Sequence, residues 1–274
     1  MSIITISREL AALGDETAHE LTKVLNYRLV EKNDLETRIK CYAEADNRKI
    51  KYDETKPGFF ASFSHDRDDY LHYLKTAVLE EAEEGNCIFL GRGTPLLLNQ
   101  IPGVFSVFLA APSSIRIERV KNYFHCDERR ARQIIEQSDR KRETFHSYFF
   151  DVIWKEAGNY HLALNTGHLH PEVCAEIIKY LQKRIVTKEA IAKQLVRIKE
   201  LRLEQAILHG IIYEKGISIH FPEVVVSGDE IRLYGVANSQ VLAEAALATA
   251  LEISGKTDSV MSEIQILHEY SMIP

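Results

Sequence analysis

Short β-branched runs alternate with amphipathic stretches from Ile3 to Lys183. The runs are Ile3-Ile4-Thr5-Ile6, Tyr27-Arg28-Leu29-Val30, Cys87-Ile88-Phe89-Leu90, Val104 to Leu109, and His161-Leu162-Ala163-Leu164. Apolar runs of this length, bounded by loop residues, read as buried parallel strands. Between them apolar residues return at helical spacing, as in Ala18, Leu21, Val24 and Leu25, or Leu71, Leu74, Val78 and Ala82. Asn26 stops the first helix, and Gly85-Asn86 stops a helix running from Tyr70 to Glu84. Asn33 with Glu36 predicts a helix from Asp34 to Ala45. Ser113 caps a helix carrying Arg116 and Arg119. Asp127 caps another, which runs through Ile134 and Ile135 to Asp139 and Arg142. Pro171 opens a helix to Lys183. Asp46 to Asp68 is polar, without a period, and reads as a flap.

Parallel strands need such crossovers, so the prediction is α/β: a doubly wound layer built on a five-stranded parallel sheet. Ligands of open sheets bind at the carboxyl ends of the strands. Four of those ends carry groups suited to an anion: Arg8, Arg92, the Ser113–Arg119 segment and Asn165-Thr166.

The pattern changes at Thr187. A charged helix runs to His209 and ends at Gly210, with Ile191, Leu195, Ile198, Leu201 and Leu208 in a narrow, drifting stripe. Packing is its simplest use, an oligomer seam the second. Strands follow at Ile217–Phe221, Glu223–Ser227 and Glu230–Val236, then a helix capped near Asn238-Ser239 and a strand near Glu263–Leu267. The domains expected are thus 1–183, a linking helix 184–210, and a smaller α+β domain 211–274. So short a domain is marginal alone. The helix and this domain are therefore the surfaces on which a second copy or a protein partner is expected.

A net charge of −6 over 274 residues argues against nucleic acid or an anionic membrane as partner, since both call for a basic footprint. Cys41, Cys87, Cys126 and Cys174 are far apart and read as reduced thiols, and no metal site is expected. No apolar run approaches the ~18 residues of a membrane span. With a strand starting at the second residue and no leader pattern, a cytoplasmic protein is expected.

Ser2 to Asn26 organises the rest. Strand, loop and helix here form the arrangement in which a P-loop aims backbone N–H groups at phosphate oxygens. The usual signature is G-x-x-x-x-G-K-[ST]. This chain has Ser7-Arg8-Glu9-Leu10-Ala11-Ala12-Leu13-Gly14, followed by Asp15 and Glu16. Each candidate has a plain alternative. Arg8 could be a surface or salt-bridged arginine, Arg116 and Arg119 a solvated face pairing with Glu118 or Asp127, and Asp139 with Arg142 a helix ion pair.

Taken together, Ile4 to Glu9, Gly85-Asn86-Cys87-Ile88 leading to Gly91-Arg92-Gly93, Ala111-Pro112 with Arg116 and Arg119, Asp139 with Arg142, and Tyr160 leading to Asn165-Thr166 resemble the cytidylate kinase-like family. This is a nucleoside-monophosphate-kinase fold of the P-loop NTPase type. Residues 230–239 and the Ala-rich helix after them resemble a BON domain. The first resemblance implies transfer of the ATP γ-phosphate to a nucleoside monophosphate, with Mg2+. It puts Arg92 on the monophosphate, Asp139 and Arg142 on base and phosphate, and Arg116 and Arg119 at the start of a lid that screens the transferring group. Arg8 and Gly14 fall at the phosphate loop. The chain departs from that family at Ala11, Ala12 and Leu13, which replace glycines and serine, and at Asp15, which replaces arginine. Cβ atoms should crowd the loop, a leucine at positive φ is rare, and two like charges about 4 Å apart repel by ~4 kcal/mol at an effective dielectric near 20. Thr17 stands one place late for a magnesium ligand. The expectation is a nucleotide-binding relative with a degenerate loop, regulatory or weakly active, that holds a monophosphate in preference to a triphosphate. The alternatives are a working nucleotide kinase, and a scaffold or sensor acting through the C-terminal domain.

Overall fold

In the computed structural model, the residues described are 2–46, 64–256 and 259–267. The flap expected over 46–68 falls mainly on residues outside that set. The chain divides into two compact units. The described residues of the first run to Leu195, except for 45 and 46, which group with the second. The second starts at Val196.

In chain order the first unit contains β1 Ile3–Arg8, α1 Gly14–Leu25, β2 Arg28–Val30, α2 Lys32–Ala45 and α3 Ser64–Glu83. Then come β3 Cys87–Leu90, the single turn α4 Thr94–Leu97, β4 Val104–Ala110, α5 Ser113–Phe124 and α6 Glu128–Phe150. β5 Leu162–Asn165 and α7 Pro171–Ile185 follow. α8 Lys188–His209 carries the division between the units.

The five strands pair in the order β2-β3-β1-β4-β5, every pair parallel. β1 is therefore the central strand, which is why Ile3, Ile4 and Ile6 are fully buried. On one face Ile4, Ile6, Ile88, Val107 and Leu109 meet Ala18 and Leu21 of α1 and Ala175 and Ile178 of α7. Alternation sends Ser7 to the other face, where its hydroxyl accepts the indole N–H of buried Trp154 at 2.8 Å. Trp154 packs edge-on against Phe108 of β4.

Most helix ends follow local chemistry. Asn26 closes α1 in the left-handed conformation, its N–H on the Thr22 carbonyl. Asp127 caps α6, accepting the Arg130 N–H at 2.7 Å. The expected Asn33 cap differs: α2 starts at Lys32, and the Asp34 carboxylate accepts the Glu31 N–H instead. α3 starts at Ser64, earlier than Tyr70, because the apolar period is weak in its first turn.

In the second unit, β6 His220–Ser227, β7 Glu230–Ala237 and β8 Val260–Ile266 form a sheet, with α9 Gln240–Ser254 between β7 and β8. β6 and β7 are antiparallel, β7 and β8 parallel. Ile217–Phe221 and Glu223–Ser227, expected as separate strands, give one strand with a register shift between His220 and Glu223. Val224, Val226, Ile231 and Leu233 pack with Ala246 and Ala250 of α9 and with Ile207. The later part of α8 thus contributes Ile207 to this core.

The Ser7–Trp154 bond lies at the end of β1 that supports the site. Ser7→Ala leaves a buried N–H unpaired, which costs about 1–3 kcal/mol. Urea unfolding followed by the fluorescence of Trp154, the chain's single tryptophan, should show that loss. An unchanged midpoint would mean the bond contributes nothing.

Candidate functional site

Between β1 and α1 the chain turns through Glu9-Leu10-Ala11-Ala12-Leu13. Ala11 and Leu13 both take left-handed backbone, with φ of 60° and 54°. The positive φ expected to demand glycine is therefore present without it. Non-glycine residues persist there only where the surroundings over-determine them, and here the surroundings are hydrogen bonds. Arg116 Nη1 donates to the Leu10 carbonyl at 3.4 Å and Arg119 Nη1 to that of Ala11 at 2.9 Å. The Thr166 hydroxyl donates to the Ala12 carbonyl at 3.0 Å, and the Thr17 hydroxyl to that of Leu13 at 2.7 Å. The amides of Leu13, Gly14, Asp15 and Glu16 have no acceptor among the described residues. They form the start of α1, where the helix dipole favours an anion.

An ion cluster stands behind the loop, with Glu9, Arg116 and Asp139 buried and Lys155 at its exposed edge. Asp139 accepts the Leu10 N–H at 3.1 Å and pairs with Arg116 at 2.7 Å. Glu9 pairs with Lys155 at 2.8 Å and Arg116 at 3.5 Å, and accepts the Ala111 N–H at 3.3 Å. Burial works to lower the Lys155 ammonium, and Glu9 and Asp139 outweigh it, so its pKa stands above the ordinary value. Leu10 and Ala11 pack against Ile117, Val120 and Ile135 of α5 and α6, and Ala12 is buried in the core between the sheet, α1 and α7.

Arg8, the last residue of β1, passes between two glycines. A Cβ on Gly14 would lie 2.4 Å from Arg8 Cγ, and one on Gly91 2.6 Å from Arg8 Nη1. The Arg8 guanidinium meets Asp15 at 2.8 Å, while its buried Nε has no partner among the described residues. Asp15 is therefore not a bare negative charge at the helix start, and the repulsion expected from it is partly neutralised.

The loop opens on a cleft of about 780 Å³ lined by Arg8, Ala11, the chain from Leu13 to Glu16, Arg119 and Arg142. Burial pulls the Arg119 guanidinium below its ordinary pKa, and Glu16 pushes the other way. Arg116 and Asp139 do not line this cleft. They are buried against each other, and not against Glu118 or Asp127. Arg142 lies 3.9 Å from Asp139. Arg92 lines a second cavity, of about 90 Å³ among the described residues, together with Arg8 and Arg142. Its buried guanidinium pairs with Glu36 and lies over the Phe145 ring, and burial lowers its pKa to about 10.

The model of the cytidylate kinase-like family matches residues 3–168, more than half of the chain and all of the elements that build the site. The chain belongs to the cytidylate kinase-like family. A crystal structure of an uncharacterized protein from Eubacterium ventriosum shares its fold, with a TM-score of 0.54 at 21% identity, covering 67% of this chain and 98% of that one. Lower in similarity are a YorR protein from Bacillus subtilis in complex with phosphorylated GDP (TM-score 0.39, 14% identity, 66% and 96% covered) and shikimate kinase from Bacteroides thetaiotaomicron (TM-score 0.36, 15% identity, 67% and 98% covered). No curated protein matches the chain.

A cytidylate kinase-like protein implies magnesium, which the P-loop signature holds on a Ser or Thr hydroxyl. Thr17 is fully buried, and its hydroxyl is committed to the Leu13 carbonyl. The loop residues here do not fit a loop-held magnesium. The sequence does not single out Glu9 or Lys155 as site residues, marks Thr17 only as a misplaced magnesium ligand, and marks Thr166 as part of an anion-suited strand end rather than as a donor to the loop. A carboxylate inside a strand–loop motif, and a hydroxyl at the end of a neighbouring strand, were the available signals.

The ion cluster gives a direct test. Asp139→Ala leaves Arg116 buried without its nearest carboxylate, and breaking a buried pair in this way costs about 3–5 kcal/mol. Urea unfolding should show that loss. A change below about 1 kcal/mol, the worth of an exposed pair, would contradict the role given to Asp139.

Proposed function

We propose that this cytidylate kinase-like protein binds the phosphates of a nucleotide on the β1–α1 loop, in a regulatory or weakly catalytic role. The observation that carries the reading is the backbone: the carbonyls of Leu10 to Leu13 are all taken by protein donors, while the amides of Leu13 to Glu16 have no acceptor among the described residues. Arg8, Arg119 and Arg142 line the same cleft as counter-charges. A bond from an amide or guanidinium to a charged oxygen is worth about 1.5–3 kcal/mol, so a few of them suffice for binding.

This reading reverses the preference for the monophosphate drawn from sequence. Among the described residues the pocket beside Arg92 is far below the ~300 Å³ at which small-molecule sites begin, and Arg92 already has Glu36. The loop-side cleft is large enough for a nucleotide. Weak catalysis follows from the same residues. Phosphoryl transfer depends on positioning and charge neutralisation, and the loop has neither lysine nor a hydroxyl available to a metal. For the second unit, the stretch resembling a BON domain runs along the central strand β7 into the Ser239 cap of α9, which supports a BON-like reading without naming its ligand.

Asp15→Asn separates the readings. It removes a negative charge beside the amides and releases Arg8, so ATP and ADP should bind several-fold more tightly by calorimetry, most visibly at low salt. Unchanged or weaker binding would sink the proposal. Transfer from ATP to CMP at the ordinary kinase rate of about 1–100 per second would favour a working kinase instead.

A further inference from the structure

We propose that Tyr123 and Phe124 form a stacking surface for the nucleobase of the nucleotide whose phosphates sit on the loop; the inference rests on the phosphate-binding reading above. Both residues line the loop-side cleft, next to Asn122 and together with Arg119, Ala11 and the residues from Leu13 to Glu16. They are the last two residues of α5, and they stand 78% and 50% exposed. The same helix buries Ile117 and Val120 against α6, so α5 has a packed face and these aromatics lie outside it. Their rings meet edge to face, with centroids 4.9 Å apart.

The chemistry of the cleft is divided. One set of lining groups is backbone amide and guanidinium, suited to phosphate. The other is aromatic, with the Asn122 carboxamide offering a donor and an acceptor. A molecule that uses both carries phosphates and a flat ring, which describes a nucleotide. Sites of this size are commonly apolar with a few placed polar groups. Stacking on an aromatic side chain tolerates any base, because every base has a π-face. The surface therefore adds affinity for nucleotides over plain polyphosphate without choosing the base, while Asn122 is placed to read a base edge.

The test compares ATP with inorganic tripolyphosphate, which has the charge and no base. Calorimetry at fixed salt would be run on the unmodified protein, on the Tyr123→Ser, Phe124→Ser double variant, and on Tyr123→Phe. The unmodified protein should bind ATP about tenfold or more tightly than tripolyphosphate, as expected of one or two stacked rings. The double variant should lose that advantage and keep its tripolyphosphate affinity, which also shows that it is folded. Tyr123→Phe keeps the ring and should keep the advantage. Equal binding of ATP and tripolyphosphate by the unmodified protein, or a double variant that still prefers ATP, would overturn the stacking surface and leave the phosphate reading standing. Binding of neither anion would overturn both.

Discussion

A trans peptide unit points its C=O and the following N–H in opposite directions. A loop whose carbonyls are all drawn into the protein must therefore turn its amides the other way. That is the constraint on which this site depends. Thr166 draws in the Ala12 carbonyl, and the Leu13 amide is turned out; Thr17 draws in the Leu13 carbonyl, and the Gly14 amide is turned out. Arg119 and Arg116 hold the two preceding carbonyls. The donors come from α1, from α5 and from the end of β5, so the loop takes its shape only when the parallel sheet has assembled.

Glycine normally makes such a loop easy. Left-handed backbone at Ala11 and Leu13 costs about 1–2 kcal/mol for each residue, and a single hydrogen bond returns about 0.5–1.5 kcal/mol. No one bond offsets the strain, but the set does, helped by the packing of Leu10 and Ala11 on α5 and α6. The ion cluster of Glu9, Arg116, Asp139 and Lys155 adds charge-assisted bonds below the loop. This chain thus holds by its neighbours a conformation that glycine permits by default. The Thr17 hydroxyl has a structural partner in the Leu13 carbonyl, and the lysine of the usual signature is absent from the loop.

The sheet was legible because its information is local. Each of Ile3–Ile6, Cys87–Leu90 and Val104–Leu109 is a β-branched or aromatic run between loop residues, and parallel strands buried on both faces look like that. The site was less legible because its partners are distant in sequence. Nothing near Asp139 announces that it will meet the amide of Leu10, and nothing near Arg92 that it will meet Glu36. Asp15 looked repulsive because its partner, Arg8, is brought to it by the turn between them. The positive φ that is rare for a leucine is present at Leu13, between carbonyls held by Thr166 and Thr17, and both residues are ordinary threonines until the fold is known. The register shift in β6 is of the same kind: Phe221 takes φ of 51° next to Pro222, and the chain passes through it without leaving the strand.

The most direct test observes the amides themselves. Backbone N–H resonances of Leu13, Gly14, Asp15 and Glu16 can be followed by NMR while ATP is added in the absence of magnesium. Hydrogen bonding to phosphate should shift all four together along one binding curve, downfield, with the amides of Leu10 and Ala12, which already have acceptors, moving little. If the four stay in place while resonances elsewhere titrate, the nucleotide does not sit on the β1–α1 loop and the account is wrong.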